Sequence, residues 1–257
     1  MIHLSGLEYI LVFIMIFIAG LMDSIAGGGG LISLPTYILI GLPPHLALGT
    51  NKFSSCWGTL FATRNYLHHN MIDVKVAVTA AVAALIGSWL GAKTVLMLNP
   101  GFVNYLLIVL IPIIAVITYL NKAVGHTDNS AFVKMNAKII YGILFGSIIG
   151  FYDGFFGPGT GTFLILFYTF ILKYDYVVAN GNTKVANLAS NLAAVFTFGF
   201  GNSIYYKLAI PAALFGILGN LLGSRLVVLK GNRLIRKIFL LVLILLLLRI
   251  SWNLFSN

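Results

Sequence analysis

Charge is what this sequence lacks. Only 9% of its 257 residues are Asp, Glu, Lys or Arg, and just six of those are acidic. A soluble domain carries roughly 25% charged residues, so the chain cannot cover a water-facing surface. It has one cysteine, Cys56, which excludes an intramolecular disulfide and gives no redox reading. No HExxH, no Cys/His cluster and no Ser/His/Asp set occurs, which argues against an enzyme and calls for no metal or cofactor. Of the five histidines, His45, His68, His69 and His126 fall in loops or at segment ends. Residues 1–22 lack the basic n-region of a cleaved signal peptide and are read as a retained span.

What the chain has instead is apolar length. Sixty per cent of the residues are hydrophobic and the mean hydropathy is +0.99. Ten apolar segments stand out, near 6–25, 30–42, 46–66, 76–97, 101–121, 138–156, 159–174, 181–201, 206–229 and 234–255. A span needs about 20 apolar residues, so the fold expected is all-α, a polytopic helical membrane protein in contact with the lipid bilayer. The net charge of +10 then reflects the positive-inside rule and not a nucleic-acid partner. A homodimer is compatible with the sequence.

The segments form two homologous repeats of about five each. Residues 1–121 make the first and 138–257 the second, with 122–137 as a cytoplasmic connecting loop, all within one transmembrane domain. Asp23 matches Asp153, Gly27 matches Gly157, Lys52 matches Lys184, and the run Gly87–Gly91 matches Gly219–Gly223. An odd number of crossings per repeat, with the N-terminus outside, places Arg64, Lys75, Lys122, Lys134, Lys138, Lys173 and the Arg225–Lys237 cluster in the cytoplasm. An even number strands that cluster outside, so the repeats are expected to be inverted. Segments two and seven are short and follow glycine-rich breaks, the pattern of discontinuous transporter helices. The breaks are Gly27, Gly28, Gly29 and Gly30 in one half and Gly157, Gly159 and Gly161 in the other.

Lys52 and Lys184 carry the chemistry. A lysine in an apolar span is costly and functional by default, its partner to be named. That partner is either an aspartate, in a structural ion pair, or an anionic substrate. Thr50-Asn51 and Asn182-Thr183 follow Gly49 and Gly181 and look like helix starts, and helix N-termini suit anions. Two such ends, each with a lysine, make a cationic pocket near the midplane, with Thr50, Asn51, Ser54, Asn187, Ser190 and Asn191 supplying hydroxyls and amides. Asp23 and Asp153 precede the glycine breaks, where an aspartate can cap the broken helix that follows or serve in proton coupling. The glycine runs lack the Lys-Ser/Thr of a P-loop and follow no strand, so a nucleotide site is excluded.

Together these motifs resemble the TauE/SafE family of sulfite-exporter-like permeases. The resemblance rests on Gly20-x-x-Asp23, Ala26–Gly30, Leu34-Pro35, Gly41–Pro44 and Ala47-x-Gly49-Thr50-Asn51-Lys52. In the second half it rests on Gly150-x-x-Asp153-Gly154-x-x-Gly157–Gly161 and on Lys184 followed by Asn187 and Ser190-Asn191. It covers essentially the whole chain. It implies a multi-pass protein of the bacterial inner membrane that exports a small sulfur oxyanion, such as sulfite or an organosulfonate, as a secondary transporter. An anion channel built on the same cationic constriction is the alternative.

Overall fold

The computed structural model describes residues 5–120 and 127–230. They form nine helices: α1 (Gly6–Ala26), α2 (Gly30–Leu39), α3 (Pro44–His68), α4 (Val74–Leu96), α5 (Pro100–Leu120), α6 (Met135–Phe155), α7 (Thr160–Leu166, continued by a π turn to Ile171), α8 (Tyr176–Phe200) and α9 (Tyr206–Lys230). The first nine apolar segments of the sequence are these nine helices, and no strand occurs among the described residues. The tenth segment, 234–255, lies outside them.

Local chemistry fixes the ends. Ser5 and Glu8 close a capping box on α1, whose last turn stops at Gly27 in the left-handed conformation (φ 72°). Asp73 caps α4 and Asp175 caps α8 through their side chains, and Pro44 opens α3 at its first position. Lys52 and Lys184 therefore sit eight residues inside α3 and α8, not at helix starts. Thr50-Asn51 and Asn182-Thr183 imitate caps in sequence, but their side chains hold other elements. The oxygens of Thr50 and Asn182 accept the main-chain N–H of Tyr205 and Asp73, the residues that lead into α9 and α4.

Among the described residues, four helices are long and apolar enough to cross a membrane on their own: α1, α4, α6 and α9. They expose apolar side chains such as Leu11 and Ile14, Val82 and Ile86, Leu144 and Ile148, and Leu214 and Leu218. Exposed apolar surface of this extent fits lipid and not water. α3 and α8 are less apolar, cross one another near the centre and hold the buried polar residues. At about 1.5 Å per residue, the 10 residues of α2 reach only half-way across a hydrocarbon core of about 30 Å, so α2 is a half-helix.

Glycines let the long helices touch backbone to backbone, and they do so at matched places. α4 runs parallel to α6, with Gly87 and Gly91 against Ser147 and Phe151; α9 runs parallel to α1, with Gly219 and Gly223 against Phe17 and Leu21. Gly49 of α3 abuts the carbonyl of Ser203, and Gly181 of α8 abuts that of Met71. Each of these contacts has a counterpart at the sequence-matched place of the other half. The glycine breaks meet in the same way: a Cβ on Gly27 would lie 2.2 Å from Gly161, and one on Gly161 2.4 Å from Gly27.

Candidate functional site

The two lysines singled out by the sequence are buried, and each is paired across the halves. Lys52 Nζ lies 2.6 Å from Asp153 Oδ1, and Lys184 Nζ lies 2.9 Å from Asp23 Oδ2. The chemistry requires partners: a bare ammonium this deep costs several kcal/mol or more. Lys52 also donates to Asn191 Oδ1 at 3.2 Å, and Asp153 accepts from the Ser190 hydroxyl. Lys184 donates to the carboxylate of Asp23 and to the same residue's main-chain carbonyl.

That second bond belongs to a full accounting of the end of α1. The last carbonyls of a helix have no partner within it, and here each finds one. Asp23 O takes Lys184 and the N–H of Gly27; Ser24 O takes Tyr66 and Asn180; Ile25 O takes Tyr176 and Asn180; Ala26 O takes Thr162. The second half thus supplies most of the groups that end the first half's broken helix.

Beside Asp23 lies a small cavity of about 20 Å³, lined among others by Ser33, Ser54, Ser55 and Asn220. Asn220 donates to Gly216 O, while its Oδ1 is buried with no hydrogen-bond partner among the described residues. The space is that of a water molecule. The charges of both lysines are balanced by aspartates.

The matches with known proteins bear on this arrangement. Residues 12–250 match the family profile described as sulfite exporter TauE/SafE. The chain belongs to the TauE/SafE family. Similar relatives are a probable membrane transporter protein, ORF9, of Sinorhizobium (33% identical, 93% of this chain and 90% of the relative) and one of Haemophilus influenzae (34%, 86% and 85%). The probable membrane transporter protein YfcA of Escherichia coli K12 is 30% identical over 90% of this chain and 84% of its own length. No solved structure matches. This TauE/SafE protein is a multi-pass bacterial membrane transporter.

Within this family member the expected site residues divide into two groups. Lys52, Asp153, Ser190 and Asn191 meet in one cluster, and Lys184 meets Asp23 in the other. Asn51 Oδ1 accepts from Ser33 at 2.5 Å, and Ser54 accepts from Tyr37 at 3.0 Å and borders the cavity. Asn187 is buried one turn beyond Lys184 on α8, whereas Thr50 is drawn off to the start of α9. The aspartates do not cap the half-helices: α2 and α7 begin at Gly29 and Gly159 with no side-chain cap. With the carboxylates turned to the lysines, Gly28, Gly29, Gly30, Gly157, Gly159 and Gly161 leave the half-helix starts to bare backbone. Of the residues lining the cavity, Ser33 and Asn220 are ones the sequence reading did not place at the site. Asn220 had one sequence signal, a polar residue inside the repeated Gly219–Gly223 run.

Proposed function

We propose that the protein exports a small sulfur-containing anion, sulfite or an organosulfonate, across the bacterial inner membrane as a secondary transporter. Two inverted repeats would alternate access to a midplane site. The observation that carries this reading is the crossed pair of buried ion pairs, each lysine held by the acid of the opposite half. The aspartates hold the lysines as a substrate anion would. A sulfur oxyanion between the two lysines offers three oxygens for the same ammonium donors, and Asn187, Ser190 and Asn191 stand close on α8 to take the rest. Because both ion pairs cross between the halves, exchanging carboxylate for substrate loosens one half from the other, which is what a rocking carrier needs. The tight backbone contacts of Gly49 with Ser203 and of Gly181 with Met71 favour a carrier over a channel, since each is a seam between the halves that can part and close again.

The test is thermal shift of the purified protein with sulfite, isethionate, sulfoacetate, taurine, sulfate, phosphate and acetate, followed by counterflow in proteoliposomes. Stabilisation confined to sulfur oxyanions, with saturable counterflow, is the expected result. Stabilisation by none of them, or non-saturating flux with single-channel currents, overturns the carrier reading.

A further inference from the structure

The four charges of the site sum to zero, and this sets what else must move. Two lysines and two aspartates are buried together, and among the described residues no other Asp, Glu, Lys or Arg lies within their cluster. A monovalent anion entering the set leaves an uncompensated negative charge in a low-dielectric interior, where charge must be paired. A proton taken up by one of the aspartates restores neutrality. By linkage, the anion raises the proton affinity of the neighbouring carboxylate and the proton raises the affinity for the anion.

The two aspartates match in sequence but not in surroundings. The side chain of Asp153 is 3% exposed and is held by both Lys52 and Ser190. That of Asp23 is 13% exposed, meets only one lysine and borders the water-sized cavity. The cavity's polar lining is only half kept at the matched places of the second half: Phe163 stands for Ser33 and Ala186 for Ser54, whereas Asn187 stands for Ser55, and Ser88, which spends its hydroxyl on Ser190 O, stands for Asn220. The unpartnered Oδ1 of Asn220 calls for a donor, and a water in the cavity supplies it while reaching the Asp23 carboxylate. Lys184 is prepared for the change, because the main-chain carbonyl of Asp23 still holds it when the carboxylate is neutral.

We propose that Asp23, and not Asp153, is the proton-coupling residue, loaded through a water molecule in this cavity, so that each monovalent anion is carried with one proton. The proposal rests on the anion-transporter reading above. The proton passes from the cavity water to the carboxylate as Lys184 turns to the anion, and returns to water when the anion leaves. The titratable groups that act on Asp23 are Lys184 from α8 and Lys52 and Tyr66 from α3. α2 and α7 present only uncharged residues, and α9 presents Asn220, with Arg225 exposed further along.

The experiment uses the full-length protein in vesicles with a trapped pH dye and isethionate as the probe, a strong-acid monoanion that carries no proton of its own. The wild-type protein is expected to move one proton per isethionate, with a flux indifferent to a clamped potential. An uncoupled anion carrier would instead shift its gradient on the order of 50-fold per 100 mV. Asp23→Asn is expected to abolish proton movement and make any remaining isethionate flux voltage-dependent. The flux that survives in Asp153→Asn is expected to stay coupled one to one. Asn220→Leu, which fills the cavity without touching a charge, slows proton-coupled flux at least tenfold and guards against an Asp23 variant that fails to fold. Isethionate flux without proton movement in the wild type, or coupling lost through Asp153 and kept in Asp23→Asn, overturns this inference and leaves the transporter reading standing. Absence of any flux of isethionate and sulfite overturns the transporter reading itself.

Discussion

At the scale of single residues, the same substitution should cost very different amounts at two glycines of one conformation. Gly27 and Gly41 both have positive φ, 72° and 83°, but a Cβ on Gly27 meets the backbone of Gly161 while one on Gly41 meets nothing within 4 Å. Gly41→Ala should therefore lose only the left-handed strain, about 1 kcal/mol. Gly27→Ala adds overpacking against a main chain that cannot turn away, a further 1–3 kcal/mol or so. Equilibrium unfolding in mixed micelles reads the difference, and equal losses would show that the two breaks do not touch. The lysines allow a sharper test. Removing one partner of a buried pair costs roughly 3–5 kcal/mol, so Lys52→Ala alone confuses folding with function. The exchange Lys52→Asp with Asp153→Lys keeps the pair and moves the ammonium from α3 to α6. If the pair is only structural, transport survives along with stability. If the ammonium must meet substrate from α3, stability is largely kept and transport falls by a hundredfold or more. The lysines and aspartates were legible in the sequence because a charge in an apolar run has no neutral explanation. Their crossed pairing was not, since nothing local tells Lys52 to choose Asp153 over Asp23.

At the scale of elements, nine helices were legible from apolar length and breaks, whereas Asp73 and Asp175, which cap α4 and α8, were not picked out as caps. The starts of α3 and α8 were misplaced for one physical reason. Glycine followed by Thr-Asn or Asn-Thr reads as a stop and a cap, but buried in a membrane the same residues serve close approach and the termini of neighbours. One consequence could not be read at all. The α3–α4 loop, the α7–α8 loop and the start of α6 are tied by a polar latch: Tyr174 donates to Asp73 at 2.5 Å, and Lys138, buried over the Tyr174 ring, donates to the phenol oxygen at 3.1 Å. The basic residues Lys75, Lys138 and Lys173 therefore share one end of the bundle, as the positive-inside argument requires. Burial, then the hydrogen bond to Asp73, pushes the Tyr174 phenol above its ordinary value near 10. A group kept protonated in the folded state stabilises fully below that ordinary value and loses its contribution as pH rises beyond it. The latch should thus be constant from pH 5 to 9 and weaken only in stronger alkali. Tyr174→Phe removes the donor to Asp73 and should cost about 1–3 kcal/mol. It should also raise amide exchange in residues 69–73 and 172–175. Unchanged exchange there would mean that the loops are held by other contacts.

At the scale of the whole molecule, the matched contacts turn the proposed alternation into a prediction of direction. One seam, Gly181 on Met71, lies at the end that carries the latch; the other, Gly49 on Ser203, lies at the opposite end where α8 passes to α9. A Cβ at Gly181 would stand 1.9 Å from the Met71 carbonyl, and one at Gly49 2.0 Å from that of Ser203, so neither seam can close over an alanine. A carrier needs each seam to close in turn, and blocking one leaves the protein resting in the conformation where that end is open. Gly181→Ala should hold the latch end open and Gly49→Ala the other, and both should abolish net transport while the helices remain folded. Ile72 and Ile204 report on the two ends, occupying matched positions beside the two seams. In a Cys56→Ala background, Ile72→Cys should label with a water-soluble thiol reagent faster in Gly181→Ala and slower in Gly49→Ala, and Ile204→Cys should do the reverse. A reagent that cannot cross the membrane, added from one side, then assigns each seam to a face, with the basic latch end expected inside. Parallel changes at both cysteines in either variant would mean that the seams open together, and a protein that opens at both ends at once is a channel rather than a carrier.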